Sequence, residues 1–550
     1  MVCVPFGQCD GVVEIKPRAV LSIYQKDITL QRQEKGAMRK RITDAMSTEN
    51  GRALLLSAVY AFVLLFLLSP DSYIRDLYCR ADSAVFFMCG KAWMCGMTPY
   101  VDFNDSKGPL LWLVYGIGYL LSHHSYVGVF WMSVPFFTAT LFVAYKLCRL
   151  YSDARVAATA TAALPLFLFL FWFHFEIRAE DFCYPFVMIS LYCVCRVLRW
   201  RDDSPYLWLS AAMGACFGCT LLIKYSTAAM IAVPMAVVLY MSIRHRRFTE
   251  SLAGMAAGIV VTTLPFVIYF AIAGNLGAFI DEYFLHTFQT IENINSDHGS
   301  AMPLNIHLGY VLHFTFIAIL VGIVVFCVRY KTGWWPAVCY LLFLTATAMG
   351  VQAYYVAVTL PFGIFLLLPA VDIVYARAPV FRRHAALCCL LCAVLAIAYN
   401  IRPINTAFRL CLPGRQEFYR MEYIMAQVDK PKVMFSLLDC SIGITVNSLP
   451  ACTNYTHQEG LTASMVESRL RALRERRPDF IILDDYPVEG REINEENVRQ
   501  CGYVLYYKTT HSLGADNHFI LYGKPGLRLP PADFQVSDWD IWLKRNIFGI

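Results

Sequence analysis

The stretch Pro109–Leu121, with the sequence PLLWLVYGIGYLL, decides how this chain is arranged around a membrane. It contains no charged residue, but it is shorter than the roughly 20 apolar residues that a spanning helix needs. The polar residues 122–125 (SHHS) end it. This stretch either crosses the membrane or lies on its surface as a helix. Each later loop lies on opposite sides of the membrane in these two cases, so the positions of the loops and their charges have to decide between them.

The chain around this stretch is a succession of apolar runs. Of its 550 residues 57% are hydrophobic and 16% are charged, and the mean hydropathy is +0.48. An ordinary soluble domain is about 45–50% apolar and about 25% charged. The composition therefore excludes a disordered chain, a collagen and a soluble enzyme with a membrane anchor, and it predicts an α-helical polytopic membrane protein. The runs lie near 53–69, 126–148, 156–173, 182–198, 205–222, 225–243, 251–273, 307–328, 334–350, 353–370 and 384–400.

The positions of lysine and arginine settle the topology, because short loops rich in these residues stay in the cytoplasm. Residues 1–51 are basic and predict a cytoplasmic N-terminus. If 109–121 lies on the outer surface, the later basic loop clusters share the side of the N-terminus: Lys146/Arg149/Arg155, Arg196/Arg199/Arg201, Arg244/Arg246/Arg247, Arg329/Lys331 and Arg377/Arg382/Arg383. The opposite loops beyond the first one then hold only Arg178 and Lys224. We therefore predict about eleven spans and an external C-terminus.

Three regions follow from this topology. Residues 1–51 form a basic cytoplasmic segment. Residues 52–400 form a transmembrane domain, and its long first external loop, 70–125, carries surface helices. Residues 401–550 form a more polar domain on the external, periplasmic side.

The external domain has the sequence pattern of a small α/β fold. Residues 433–438 and 480–483 are typical of strands, and Ala463 to Arg476 is typical of a helix with one apolar face. The 20 cysteines do not form a disulfide framework, because most of them lie in apolar runs and act there as small apolar residues.

Charged residues collect at the outer membrane interface. Asp82 lies near the start of a helix predicted to be amphipathic and to lie on the membrane surface, Lys107 lies in the polar turn 99–110, and Arg178 and Glu180 lie in a short link between two apolar runs. Each has a structural alternative. Asp82 is then a carboxylate stabilised by a helix dipole, Lys107 belongs to a turn before a helix, and Arg178 and Glu180 form an internal ion pair. Together, carboxylates and cations at a lipid interface suit a lipid-linked phosphate ligand, with or without a divalent ion.

These residues occur in a recognisable pattern. Residues 96–110 read G-x-x-P-Y-x-D-x-x-D-x-K-G-P-L, Arg178-Ala179-Glu180 precedes the fourth span, and 352–355 (QAYY) lead to Leu360-Pro361. The pattern resembles the GT-C membrane glycosyltransferases, in the bacterial branch similar to protein O-mannosyltransferases and the lipid A aminoarabinose transferase. The resemblance covers roughly 50–400. Many relatives have K-P-P-L where this chain has K-G-P-L, and several carry Asp at the position of Glu180.

The resemblance implies a reaction: a sugar moves from a polyprenyl-phosphate carrier to an acceptor outside the cytoplasm, by single displacement with inversion. It implies Asp82 as the catalytic base, and Lys107 and Arg178 as the cations that bind the donor phosphate. Glu180 is then a metal ligand or a second carboxylate.

Further residues are candidates for lining the substrate path: Asp102, Asp105, Asp181, Tyr354 and Tyr355. The alternatives are that Asp102 and Asp105 shape the turn and that the tyrosines form an aromatic interface belt. The outer-loop histidines, including His286, are interpreted as ordinary surface groups.

The expected partners are a polyprenyl-phosphate sugar donor, a lipid- or glycan-linked acceptor and membrane lipids, with no nucleic acid. A divalent cation such as Mg or Mn is a possible cofactor. We expect no nucleotide or redox cofactor, since the cytoplasmic side carries no Gly-rich phosphate loop. The expected location is a bacterial inner membrane.

Three rival hypotheses stay open at this stage. A lipid-linked glycan flippase or transporter predicts charges in the middle of spans and internal repeats. A non-catalytic subunit of a glycan assembly complex predicts that Asp82 and Glu180 are dispensable. A glycan polymerase or ligase of another fold leaves the pattern at 96–110 unexplained.

Overall fold

The computed structural model describes residues 47–69, 71–74, 82–123, 125–170, 178–199, 206–286, 313–348, 353–436, 448–453, 462–484, 492–509 and 518–529. The chain divides into two compact units, Met1–Leu56 and Ser57–Ile550. In the first unit the description covers residues 47–56, with the beginning of helix α1 (Glu49–Leu68).

A series of helices carries the predicted apolar runs. After α1 they are α2 (Asp82–Met94), α3 (Pro109–Leu121), α4 (Val127–Arg149), α5 (Ala154–Ala163), α6 (Pro165–Leu168), α7 (Ala179–Arg199), α8 (Tyr206–Ile223), α9 (Tyr225–Arg244), α10 (Phe248–Ile272), α11 (Leu276–Ile280), α12 (Phe314–Tyr330), α13 (Trp335–Ala348), α14 (Ile364–Arg377), α15 (Pro379–Arg383) and α16 (Ala385–Met425). A π-helix, Asp281–His286, continues α11, and a 3-10 helix, Ala353–Gly363, leads into α14.

The helices confirm the class of an α-helical polytopic membrane protein, because every predicted apolar run overlaps a helix. Within the described ranges, seven helices are long and apolar enough to cross a membrane. The shorter apolar helices are Pro109–Leu121, Ala154–Leu168, Phe314–Tyr330, Trp335–Thr345 and Ala385–Ile401. The count of eleven spans stays a prediction. The domain boundaries stay predictions too, and α16 continues past residue 400 without a break.

Helix α2 differs from the amphipathic surface helix that we expected. Every residue from Ser83 to Ala92 is buried within the protein, so the helix has no polar outer face. The reason is close packing against α3: a Cβ added to Gly90 would lie 2.5 Å from the backbone nitrogen of Gly116. Glycines at this crossing let the two backbones approach, so α3 covers one side of α2.

The small C-terminal α/β fold is also confirmed, whereas its external position stays a prediction. Its strands are β1 (Lys432–Ser436), β2 (Leu449–Pro450), β3 (Phe480–Asp484), β4 (Val504–Lys508) and β5 (Phe519–Gly523), in the order β2-β1-β3-β5-β4. Strand β1 is parallel to β2 and β3, whereas β5 is antiparallel to β3 and β4. The helices are α17 (Ala463–Arg474) and α18 (Glu495–Gln500). Residues 437–438 of the first predicted strand lie outside the described residues.

Candidate active site

The polar turn between α2 and α3 is shaped by two residues with positive φ and by local hydrogen bonds. The backbone reverses at Gly96 (φ 86°) and again at Tyr100 (φ 63°). The Asp102 carboxylate accepts a hydrogen bond from the Thr98 N–H at 2.7 Å, and the Tyr100 N–H donates to the Phe103 carbonyl at 2.8 Å. Asp102 is exposed. Of its two predicted roles, this geometry favours shaping the turn.

Asp105 and Lys107 follow this turn and point into the protein. Asp105 is 7% exposed, and its Oδ2 atom has no hydrogen-bond partner among the described residues. The half-buried Lys107 ammonium donates to the Ser106 hydroxyl at 2.8 Å and lies 5.5 Å from the centre of the Phe86 ring on α2. The turn therefore places the Asp105 carboxylate and the Lys107 ammonium in the same interior region.

Several of the predicted residues lie close enough to Lys107 for their charges to act on its ammonium, so they form one cluster. Desolvation alone would lower the pKa of Lys107. The charges of Asp105 and Asp82, with smaller contributions from Tyr355 and Glu180, outweigh that effect and raise the pKa above its usual value. Burial raises the pKa of Asp105, and the nearby Lys107 opposes that shift. Lys107 is thus held in its charged form.

Glu180 completes the cluster from the first turn of α7 and is 4% exposed. Its partner is Lys224, whose ammonium forms a buried ion pair with the Glu180 carboxylate. The same ammonium lies 3.4 Å from the centre of the Tyr355 ring. Glu180 therefore pairs with Lys224, and not with Arg178 as the structural alternative had it. Arg178 instead donates its backbone N–H to the Asp181 carboxylate at 2.8 Å, at the start of α7.

Lys224 is the site residue that our sequence interpretation missed. It lies alone in extended backbone between α8 and α9. The available signal was that Lys224 is one of two cations left in the later outer loops. A lone lysine between two apolar runs is costly unless it has a partner. Of the other predicted residues, Arg178 and Asp181 flank Glu180, and the Tyr354 side chain lies outside the described residues.

The described residues do not fit a resident divalent cation. Glu180, predicted as either a metal ligand or a second carboxylate, forms an ion pair with Lys224, and the charges of Asp105 and Asp82 both stabilise the Lys107 ammonium. No group of three or more His, Cys, Asp or Glu side chains that could hold a metal ion occurs in the described part of the chain. Hard cations such as Mg are held by oxygen atoms, which come from carboxylate side chains or from the phosphate of a bound substrate.

The contacts of Gly108 account for the glycine in K-G-P-L, at the position where many relatives carry proline. Its N–H donates to the Ile223 carbonyl at 3.0 Å, a bond that proline is unable to make. An added Cβ would lie 2.2 Å from the Leu222 carbonyl oxygen and 2.8 Å from the Tyr283 hydroxyl. The end of α8 therefore lies directly against the start of α3, which brings Lys224 and Lys107 together.

The fold combines a helical membrane domain with a C-terminal α/β domain, and a cluster of carboxylates and cations lies in the membrane domain. This arrangement is similar to that of the GT-C membrane glycosyltransferases. The predicted resemblance to that class is confirmed by the comparisons with known proteins.

Particular relatives are similar to this chain. The family model of the dolichyl-phosphate-mannose-protein mannosyltransferases matches residues 106–269. The crystal structure of ArnT from Cupriavidus metallidurans bound to undecaprenyl phosphate is 12% identical, with a TM-score of 0.51 over 86% of this chain and 98% of that chain. Its apo form is 12% identical, with a TM-score of 0.52 over 85% and 96%. The Archaeoglobus fulgidus oligosaccharyltransferase with Zn and sulfate is 12% identical, with a TM-score of 0.44 over 86% and 73%. The search of curated proteins gave no match.

Proposed function

We propose that this protein transfers a sugar from a polyprenyl-phosphate-linked donor to an acceptor on the external side of the membrane. The acceptor is a lipopolysaccharide, a cell-surface glycan or a protein. The observation that carries the proposal is the buried cluster in which Lys107 lies among Asp105, Asp82 and Glu180. The structural relative ArnT, crystallised with undecaprenyl phosphate, supports a carrier of this kind.

The cations serve the leaving group. A phosphate is already a weak base, so it needs no proton donor when the glycosidic bond breaks, in contrast to the alkoxide released from a glycoside. It needs positive charge where negative charge develops. Lys107 supplies that charge, because the surrounding carboxylates keep its pKa high. Arg178, one residue before α7, is the second proposed cation.

Asp82 is the proposed base. It is the first residue of α2 and lies close enough to Lys107 to raise the pKa of that lysine. The acceptor hydroxyl gives its proton to Asp82 while its oxygen forms a bond to the anomeric carbon. The bond from that carbon to the phosphate oxygen breaks, and the phosphate leaves with the electron pair. One displacement inverts the anomeric centre.

Glu180 acts in this scheme as the second carboxylate, and no step passes through a metal. It orients Lys224 through their ion pair, and Lys224 in turn lies over the Tyr355 ring. The ring and the ammonium together form one wall of the proposed donor site.

The position of the charges argues against the transporter hypothesis. Asp82 and Glu180 lie in the first turns of their helices, and Lys224 lies between two helices. A transport pathway is instead expected to carry charges near the middle of broken spans. We further propose a bacterial inner membrane, with the N-terminus in the cytoplasm and the α/β domain outside.

The test is sugar transfer by the purified full-length protein in detergent, with a panel of polyprenyl-phosphate sugars. We expect one donor to release polyprenyl phosphate and to label a membrane-extract acceptor. Lipid-linked glycan crossing vesicle bilayers, without any release of polyprenyl phosphate, would support the transporter hypothesis instead. Intact protein that neither transfers, hydrolyses nor transports would support a non-catalytic subunit.

A further inference from the structure

A short segment of the external domain reaches the turn that carries the candidate active site. We call residues 448–453 the strap. Its first part belongs to the sheet: β2 pairs with β1, and the Ala451 N–H donates to the Val433 carbonyl at 3.1 Å. Ala451 and Cys452 are buried at 7% and 5% exposure. The strap is therefore anchored in the external domain before it reaches Thr453.

Thr453 contacts the turn twice. Its carbonyl accepts a hydrogen bond from the Asn104 N–H at 2.9 Å, and its hydroxyl donates to the Val101 carbonyl at 2.8 Å. These two bonds span the last half of the turn, on the side that leads to Asp105. Thr453 is 352 residues away from Val101 in sequence, so this is a long-range tertiary contact between two domains.

The turn needs such support because its backbone is strained. Tyr100 adopts φ 63°, a left-handed conformation that a bulky side chain rarely takes. Such a conformation persists only where the surroundings fix it. The Trp112 ring, 4.6 Å away between centres, covers the Tyr100 ring, and the Asn275 amide donates to the Pro99 carbonyl at 2.8 Å. These contacts fix the first half of the turn, and Thr453 fixes the second.

Asn104 connects the strap to the candidate active site. Its backbone N–H is bound by Thr453, and its side-chain amide donates to the Glu282 carboxylate at 2.6 Å. Glu282 also lies 3.1 Å from the His286 ring nitrogen Nδ1. The next residue is Asp105, whose charge raises the pKa of Lys107. A displacement of Asn104 therefore moves the carboxylate that controls the phosphate-binding cation.

We propose that Thr453 is a positioning residue: the strap fixes the turn 100–104, so sugar transfer in the membrane domain requires the external domain to be docked. The catalytic part of this inference rests on the proposed function. The competing explanation is that the strap only attaches the domain to the membrane part of the protein. Geometry at active sites is sensitive to small displacements, so the two explanations give different kinetics.

The experiment compares three variants of the full-length protein. Thr453→Val removes the hydroxyl at nearly constant shape, and Thr453→Ser keeps it. Asn494→Ala removes the cap of α18, whose two reciprocal bonds are both 3.0 Å, and so weakens the external domain far from the strap. The first readout is amide hydrogen exchange of peptides that cover 98–107. The second is the kcat and donor KM of sugar transfer.

We expect Thr453→Val to exchange about fivefold faster in 98–107, because one hydrogen bond is lost. Its kcat should fall by about tenfold or more with little change in donor KM. Thr453→Ser should restore both properties. Asn494→Ala should change exchange only around α18.

The outcomes separate this inference from the proposed function. Unchanged exchange in Thr453→Val overturns the inference, whatever the protein catalyses. Faster exchange with wild-type kcat overturns the positioning role and leaves an attachment role. If the wild type transfers no sugar at all, the proposed function fails, and the exchange result still decides whether Thr453 fixes the turn.

Discussion

Lys107 is the residue on which the proposed chemistry depends most. It is a cation in a desolvated region, and a lysine in that setting loses its proton easily unless carboxylates lie nearby. Asp105 and Asp82 supply them. An incoming donor phosphate adds negative charge, which Lys107 and Arg178 balance in the proposed mechanism.

The pH dependence follows from this arrangement. Asp105 makes the largest contribution that raises the pKa of Lys107, so Asp105→Asn should lower that pKa. The alkaline limb of kcat/KM for sugar transfer should then move to lower pH, because Lys107 loses its proton earlier. The measurement is a profile from about pH 8 to pH 11.5, in which the activity of Asp105→Asn should begin to fall at a lower pH than that of the wild type, whose limb lies above the ordinary pKa of lysine. Asp102→Asn, in the exposed part of the turn, is the matched control, and an unmoved limb in Asp105→Asn would contradict the role of Asp105.

The buried Glu180–Lys224 pair gives a stability prediction. Removing one partner leaves an uncompensated buried charge, which typically costs about 3–5 kcal/mol. Glu180→Gln and Lys224→Met should each lower the unfolding temperature in detergent. The double variant should be more stable than the sum of the single effects predicts. Additive losses would show that the two side chains do not interact.

The sequence reveals part of this residue-level picture. Asp82, Lys107 and Glu180 can be predicted, because charges are expensive at the depth of the membrane interface. The partner of Glu180 cannot be predicted that way. Arg178, two positions away, is the local choice, whereas Lys224 becomes the partner only when α7 and α8 pack together.

At the scale of elements, the junction of α8 with the start of α3 determines where Lys107 lies. The Gly108 N–H donates to the last residue of α8, and no space remains for a side chain at Gly108. The Tyr283 hydroxyl from the π-helix donates to the Leu221 carbonyl at 2.7 Å in the same region. Three elements therefore meet at one glycine beside the proposed phosphate-binding cation.

This junction predicts a severe effect of Gly108→Ala. The new Cβ would lie 2.2 Å from the Leu222 carbonyl oxygen, so α3 and Lys107 must shift. Overpacking of this kind costs about 1–3 kcal/mol, and we expect sugar transfer to fall more than stability does. Gly277→Ala on α11 is the control, because nothing lies within 4 Å of its added Cβ. Equal transfer rates in the two variants would contradict this interpretation of the junction.

Element prediction succeeded where periodicity is strong. The long apolar helices, the helix α17 and the strand β3 all follow from the sequence. Strands β4 and β5 and the short β2 were not predicted. β2 is only two residues long, and β5 is buried along its whole length just as the predicted strand β3 is, so burial alone does not account for missing β5. The burial of α2 was missed as well, because a glycine crossing with α3 is a tertiary property.

At the scale of the whole molecule, the asymmetry of lysine and arginine predicts the orientation. Arg383, the exposed last residue of α15, should face the cytoplasm, and Glu475, exposed after α17, should face outward. A membrane-impermeant thiol reagent should therefore label Glu475→Cys in intact cells and Arg383→Cys only after lysis. Labelling of the parent protein sets the background. The reverse order of labelling would invert the topology and place the candidate site in the cytoplasm.

The cluster around Asp82 and Lys107 is proposed to transfer the sugar. The most direct measurement is transfer from the accepted polyprenyl-phosphate donor by wild type, Asp82→Asn and the control Asp102→Asn, together with binding of the donor. We predict that Asp82→Asn lowers kcat by about 10²–10⁴-fold while donor binding is retained, because only the base is lost. Asp102→Asn should transfer like the wild type. Equal transfer by Asp82→Asn and wild type would contradict the assignment of Asp82 as the base.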